Sequence, residues 1–189
     1  MATHFTGPIL FAGKDGNRKW FENLPIDKNP DYVVYMDDFT GVALDNTNDW
    51  TVVKDSSATA ALGADAESGT LVLTSQATTD NDGASVQGNE IFALSTSRDI
   101  WFETKIKVGD SEGSAIDLCV GLTVNFATNP EAMLTAADRI VFQIDDGDLN
   151  IDCVTEKDGT ATTTDSGVDI EDDTFVTLGF HVKGTGSVE

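Results

Sequence analysis

The residues of this 189-residue chain that could do chemistry are its acids, two cysteines, two histidines and three tryptophans. Hydrolysis of a glycan on a β-sheet needs two carboxylates across a cleft, and on one strand they stand two or four residues apart to share a face. Asp117 stands alone on its apolar strand, and the neighbours of Glu103 on its face are Lys105 and Lys107. Asn150 and Asp152 share a face, but Asp-rich strands are common in so acidic a chain. The spacing Asp146-x-Asp148-x-Asn150 matches the opening of a calcium loop, with Asp145 and Asp152 beside it. The sixth position is Ile151 instead of glycine and the twelfth is Lys157 instead of glutamate, so the cluster reads as a solvated hairpin tip. Asp169-Ile170-Glu171-Asp172-Asp173 lacks calcium-loop spacing and reads as an exposed turn.

The other groups are no better placed. Cys119 and Cys153 lie in strand-like runs and read as two free thiols, with a disulfide as the alternative. With His4 and His181 as its only histidines and no Cys-x-x-Cys spacing, the chain has no evident zinc site. His181 alternates outward from an apolar strand and reads as a surface histidine. There is no Gly-x-Ser-x-Gly elbow and no phosphate loop. Trp50 and Trp101 are candidates for stacking on a sugar ring, unless both faces of their strands are covered. The expectation is therefore no catalytic residue, no metal site and no cofactor.

These residues need elements to hold them, and from residue 31 onward the apolar period is two. Ile100, Phe102, Ile106 and Val108 share one face, with Trp101, Glu103, Lys105 and Lys107 on the other. Ile116, Leu118, Val120, Leu122, Val124 and Phe126 form a second stripe, and Val176, Leu178, Phe180 and Val182 a third. Shorter strands are expected at residues 32–36, 50–53, 71–74, 84–87, 140–144 and 149–154. Asn81-Asp82-Gly83, Asp146-Gly147 and Asp158-Gly159 are hairpin signals. One helical turn is expected at 129–132, with Asn129 as N-cap and Pro130 in the first position. The fold class is all-β: a two-sheet antiparallel sandwich or jelly roll, with an N-terminal extended arm. Gly184-Thr185-Gly186 reads as a turn into a strand that Ser187-Val188-Glu189 begins, leaving an open edge or a hairpin cut short.

Charge divides the chain at the same point. Eleven Lys and Arg stand against 33 Asp and Glu, a net charge of -22. Residues 1–30 carry Lys14, Arg18, Lys19 and Lys28 against Asp15, Glu22 and Asp27, so the arm is +1 and residues 31–189 are -23. A field of that sign repels nucleic acid and anionic lipid, so neither is an expected partner. It suits saline surroundings, or attraction for calcium. No run approaches about 18 apolar residues, and none has a signal-peptide core. Yet the arm holds Phe5, Ile9, Leu10, Phe11, Trp20 and Phe21, with Leu24 and Ile26, which a disordered tail does not. These groups are expected to bury, against the parent domain or, the favoured reading, against a partner.

Asp37-Asp38-Phe39-Thr40-Gly41 followed by Trp50, then Gly69-Thr70-Leu71-Val72-Leu73, Arg98-Asp99-Ile100-Trp101-Phe102-Glu103, Val120-Gly121-Leu122, Arg139-Ile140-Val141-Phe142-Gln143 and Thr177-Leu178-Gly179-Phe180, resembles concanavalin A-like (laminin-G-like) jelly rolls over residues 35–189. That resemblance implies a fold more than an activity, and the family's metal, sugar and catalytic acid motifs have no match here. The start Met1-Ala2-Thr3-His4-Phe5-Thr6-Gly7-Pro8-Ile9-Leu10 resembles the N-termini of small structural proteins of tailed phages of marine bacteria. It implies a virion protein made in the host cytoplasm, a capsid decoration (cement) protein on the outer capsid surface. The implied partners are the major capsid protein or another virion protein and further copies of itself, commonly as a trimer. The alternative is a lectin-like adhesion module on a virion.

Overall fold

A computed structural model describes residues 34–55, 57–63, 69–75, 83–109, 116–124, 129–145 and 147–184. The arm residues Phe5, Ile9, Leu10, Phe11, Trp20 and Phe21 lie outside them, as does the expected terminal strand at 187–189. By contacts the chain divides into two units, Met1–Asp38 and Phe39–Glu189.

The second unit is all-β among the described residues, apart from one short 3-10 helix. Its strands are β1 (Thr51–Lys54), β2 (Thr59–Leu62), β3 (Leu71–Thr74), β4 (Ala84–Gln87), β5 (Ile100–Ile106), β6 (Leu118–Thr123), β7 (Arg139–Ile144), β8 (Asn150–Lys157), β9 (Thr160–Asp169) and β10 (Val176–Val182). All strand pairs are antiparallel, in one four-stranded sheet, β6-β7-β8-β9, and three ribbons, β1-β4, β2-β3 and β5-β10.

The period-two stripes explain how the layers meet. Phe102 pairs with Phe180 across β5-β10, so one face of this ribbon carries Ile100, Phe102, Ile106, Val176, Leu178, Phe180 and Val182. The matching face of the four-stranded sheet carries Leu118, Val120, Leu122, Ile140, Phe142, Ile144, Ile151 and Cys153. These two faces form one core cluster, closed by Val108, Ile116 and Ile170, as in a β-sandwich. Its centre is aromatic: Phe180 stacks on Phe102 with ring centroids 4.9 Å apart and meets Phe142 of the facing sheet at 6.0 Å. Such contacts are worth about 0.5–1.5 kcal/mol beyond the area they bury.

The reverse face of the four-stranded sheet is covered at its centre, where the buried Val141 and Val154 lie beside a polar network. Arg139 Nε donates to Glu156 Oε2 at 2.9 Å, and both side chains are largely buried. Arg139 Nη1 donates to Gln143 Oε1 at 2.8 Å and to the carbonyls of Met133 and Leu134, which fastens the 3-10 helix Pro130–Met133 to the sheet. That helix starts as its sequence predicts, with Asn129 Oδ1 accepting from the Glu131 N–H at 2.9 Å and Pro130 in the first turn. Gly121 faces Val141 on the same surface, and a Cβ there would stand 2.3 Å from the Ile140 carbonyl oxygen. The strands can close up only because this residue is glycine.

Five expectations need correction. Residues 34–36 lie outside any strand and are exposed. Asn81-Asp82-Gly83 joins β3 to β4, which pair with β2 and β1 and not with each other, so it makes no hairpin. β2 and β9 form where no strand is expected. Val124 is exposed and falls outside β6, so the second stripe ends before it. The acidic turn after β9 is not wholly exposed, because Ile170 is buried in the core.

Because Phe180 touches both layers, Phe180→Ala should lower stability by about 3–5 kcal/mol. Phe175→Ala, at a ring that is 47% exposed, should cost under about 0.5 kcal/mol. Urea unfolding followed by far-UV circular dichroism measures both.

Candidate functional site

The outward face of the β5-β10 ribbon gathers five of the side chains singled out for chemistry: Trp101, Glu103, Lys105, Lys107 and His181. The register places Trp101 opposite His181, Glu103 opposite Gly179 and Lys105 opposite Thr177. At one end the Trp101 and His181 rings stack, with centroids 4.7 Å apart and planes 6° from parallel. His181 Nε2 lies 3.0 Å from Asp99 Oδ2, and the other carboxylate oxygen of Asp99 accepts the Gly184 N–H at 2.7 Å. The Gly184 bond, and then the His181 bond, hold the Asp99 carboxyl below its ordinary range. Asp99 thus ties the entry of β5 to the exit of β10.

Gly179 leaves a gap in the middle of this face, bordered by Glu103. At the far end, Lys105 Nζ lies 4.6 Å and Lys107 Nζ 5.5 Å from the centre of the Phe175 ring. Lys107 also bonds Asp173 at 2.8 Å. An exposed ring under two ammonium groups is an amphipathic surface suited to a flat partner. Nothing in this arrangement places two carboxylates across a cleft.

The acidic hairpin and the cysteines are elsewhere. Gln143 donates to Asp145, the Asn150 N–H to Asp148 at 3.0 Å, and the Asn150 amide to Asp152 at 2.8 Å. Burial, then the charges of Asp165, Asp145 and Asp148, raise the Asp152 carboxyl. Among the described residues no three His, Cys, Asp or Glu are grouped to hold a metal ion. Cys119 pairs with Gln143 and Cys153 with Phe142, so the two thiols stand on opposite faces of one sheet, two strands apart. They are not bonded to each other. Burial pushes the Cys119 thiol up to about 12, and burial also raises Cys153, so neither is a ready nucleophile.

Of the tryptophans proposed for sugar stacking, Trp101 lies on the outward face with one ring face taken by His181. Trp50 sits just before β1, half-buried, with its ring 5.7 Å from Phe39 and its edge against Gly88. The two are therefore not one platform. A shallow cleft of about 380 Å³ beside β1 and β2, lined by Val42, Leu44, Val52, Ala60 and Leu62, includes no predicted site residue. Sequence reasoning passed over Asp99, Phe175 and Gly179, and set His181 aside. Pairing the two most clearly alternating strands antiparallel would have brought His181 to Trp101.

No protein-family model, curated protein or solved structure matches this chain.

The Asp99 clamp has a defined pH dependence. A carboxyl whose folded value is depressed stabilises fully above its unfolded value of about 4, and that stabilisation is lost as pH falls through the lower folded value. Asp99→Asn should therefore lower the melting temperature at pH 7, and the gap from wild type should narrow as pH falls below the ordinary carboxylate range. Differential scanning calorimetry across this range measures the gap.

Proposed function

We propose that this chain is a non-catalytic structural protein of a virus particle. In this reading it is a capsid decoration or cement protein on the outer capsid surface. The β body is a concanavalin A-like jelly roll, and the first thirty residues anchor it to the major capsid protein or another virion protein. The observation that carries the reading is the division of the chain. Phe5, Ile9, Leu10, Phe11, Trp20 and Phe21 fall in a segment of net charge +1, ahead of 159 residues of net charge -23. Apolar groups leaving water supply affinity at about 25 cal/mol per Å², before ordering costs. The acidic body holds neighbours and nucleic acid away, so contact is left to the arm. The reactive groups of the body serve as struts: His181 braces Asp99, and the cysteines are kept as thiols.

A second reading, a carbohydrate-binding adhesion module, is favoured by one observation. Trp101, Phe175 and Lys105 share an outward sheet face with a glycine gap between them.

The readings separate cleanly. Removal of residues 1–26 should weaken binding to capsids stripped of this protein by about two orders of magnitude or more, while the body keeps its circular dichroism spectrum. Unchanged affinity overturns the anchoring reading. On a broad glycan array the full chain should give no signal. A signal lost in Trp101→Ala moves the assignment to the adhesion module.

A further inference from the structure

Among the described residues β9 is an edge strand of an uncommon kind. It is ten residues long, the last in the order β6-β7-β8-β9, and every one of its residues is exposed. Its turn to β8 is the two-residue Asp158-Gly159, with both φ angles positive at 51° and 74°, a type I′ hairpin. Lys157 and Thr160 then form the first hydrogen-bonded pair, and the ladder alternates from there. The backbone N–H and C=O groups of Ala161, Thr163 and Asp165 accordingly point away from β8. Edge strands are usually guarded by lysine, proline, charge or shortness. From Gly159 to Thr164 this one has no charge and no proline, and it contains Thr162, Thr163 and Thr164, all β-branched.

The chain also carries a run of strand-forming residues of which the described part lies outside every strand. Tyr32, Val33, Val34, Tyr35 and Met36 are the β-branched and large side chains of a strand, and Val34, Tyr35 and Met36 are exposed outside every strand. This run is uncharged too. Two chains of net charge -22 repel one another, so close contact costs least where charge is sparse, and Asp165 is the one charged residue among the five that a strand centred on Thr163 faces. We propose that β9 accepts residues 32–36 of a second copy of this chain as an added strand. The main-chain groups of Thr163 meet the middle of that run, and threonine side chains lie beside valine and tyrosine. The inference does not depend on the capsid reading, because its test uses the purified chain alone.

Sedimentation velocity of the full chain at about 0.5 M salt, where charge repulsion is screened, should show self-association. Thr163→Pro removes an N–H that points outward, a position where an edge strand tolerates proline. It should weaken association about tenfold or more while leaving the melting temperature nearly unchanged. A full chain that stays monomeric, or a Thr163→Pro chain that associates like wild type, overturns the proposal. The native thiols are half-buried, so a second test uses introduced cysteines with the wild-type chain as control. A Val34→Cys chain mixed with a Thr163→Cys chain under mild oxidant should give a disulfide-linked pair. A cross-link that forms only within a single chain bearing both substitutions overturns the second-copy occupant.

Discussion

The contact of Phe180 with Phe102 on its own ribbon and with Phe142 on the facing sheet sets the separation of the two layers. Everything on the outward surfaces follows from it. With Leu178, Phe180 and Val182 turned to the core, Gly179 and His181 must face out, because side chains alternate along a strand. The cross-strand register then brings His181 to Trp101 and Glu103 to Gly179. The surface chemistry of β5-β10 is therefore a by-product of core packing, fixed to within one register position. A slip of one residue would send the whole apolar set to solvent.

Charge is handled differently on the two sheets. The four-stranded sheet buries an ion pair, Arg139 with Glu156, and completes the guanidinium with Gln143 and two carbonyls. Such pairs add little net stability, but removal of one partner strands the other in low dielectric. Arg139 therefore fixes where the 3-10 helix sits against β7. Toward the other end of that sheet, burial first and then the charges of Asp165, Asp145 and Asp148 raise the Asp152 carboxyl. The β5-β10 ribbon mixes signs instead, with Lys105 and Lys107 near Glu103 and Asp173. The outward face of β5-β10 is thus less uniformly acidic than the hairpin end of the four-stranded sheet.

How much of this could be read from the sequence depended on whether a strand buries one face. Strands β3 and β4 lie where expected, and the three apolar stripes turn to the core as far as Leu122, because burial leaves a period-two trace. β9 left no such trace. Both its faces are exposed, so Thr-Ala-Thr-Thr-Thr-Asp-Ser-Gly-Val-Asp shows no alternation, although Asp158-Gly159 before it was read as a turn. β2, Thr-Ala-Ala-Leu, is too short and too small in its side chains to show a period. Asn81-Asp82-Gly83 looked like a hairpin because turn residues report a reversal and not which strands will pair. The histidine is the clearest case on the site side. An outward position was read as free, whereas the neighbouring strand supplied both a ring and an acid for it.

The placement of the two cysteines bears on the order of events when the chain is made. In the native sheet β7 runs between them and their side chains leave on opposite faces, so their Cα atoms are about 9–10 Å apart, beyond disulfide reach. An unfolded chain has no such barrier, since only 33 residues lie between Cys119 and Cys153. If an oxidant joins them first, β7 cannot be laid down between its neighbours. The native state thus tolerates oxidising surroundings that its own precursor does not, and the sheet must close before the thiols meet an oxidant.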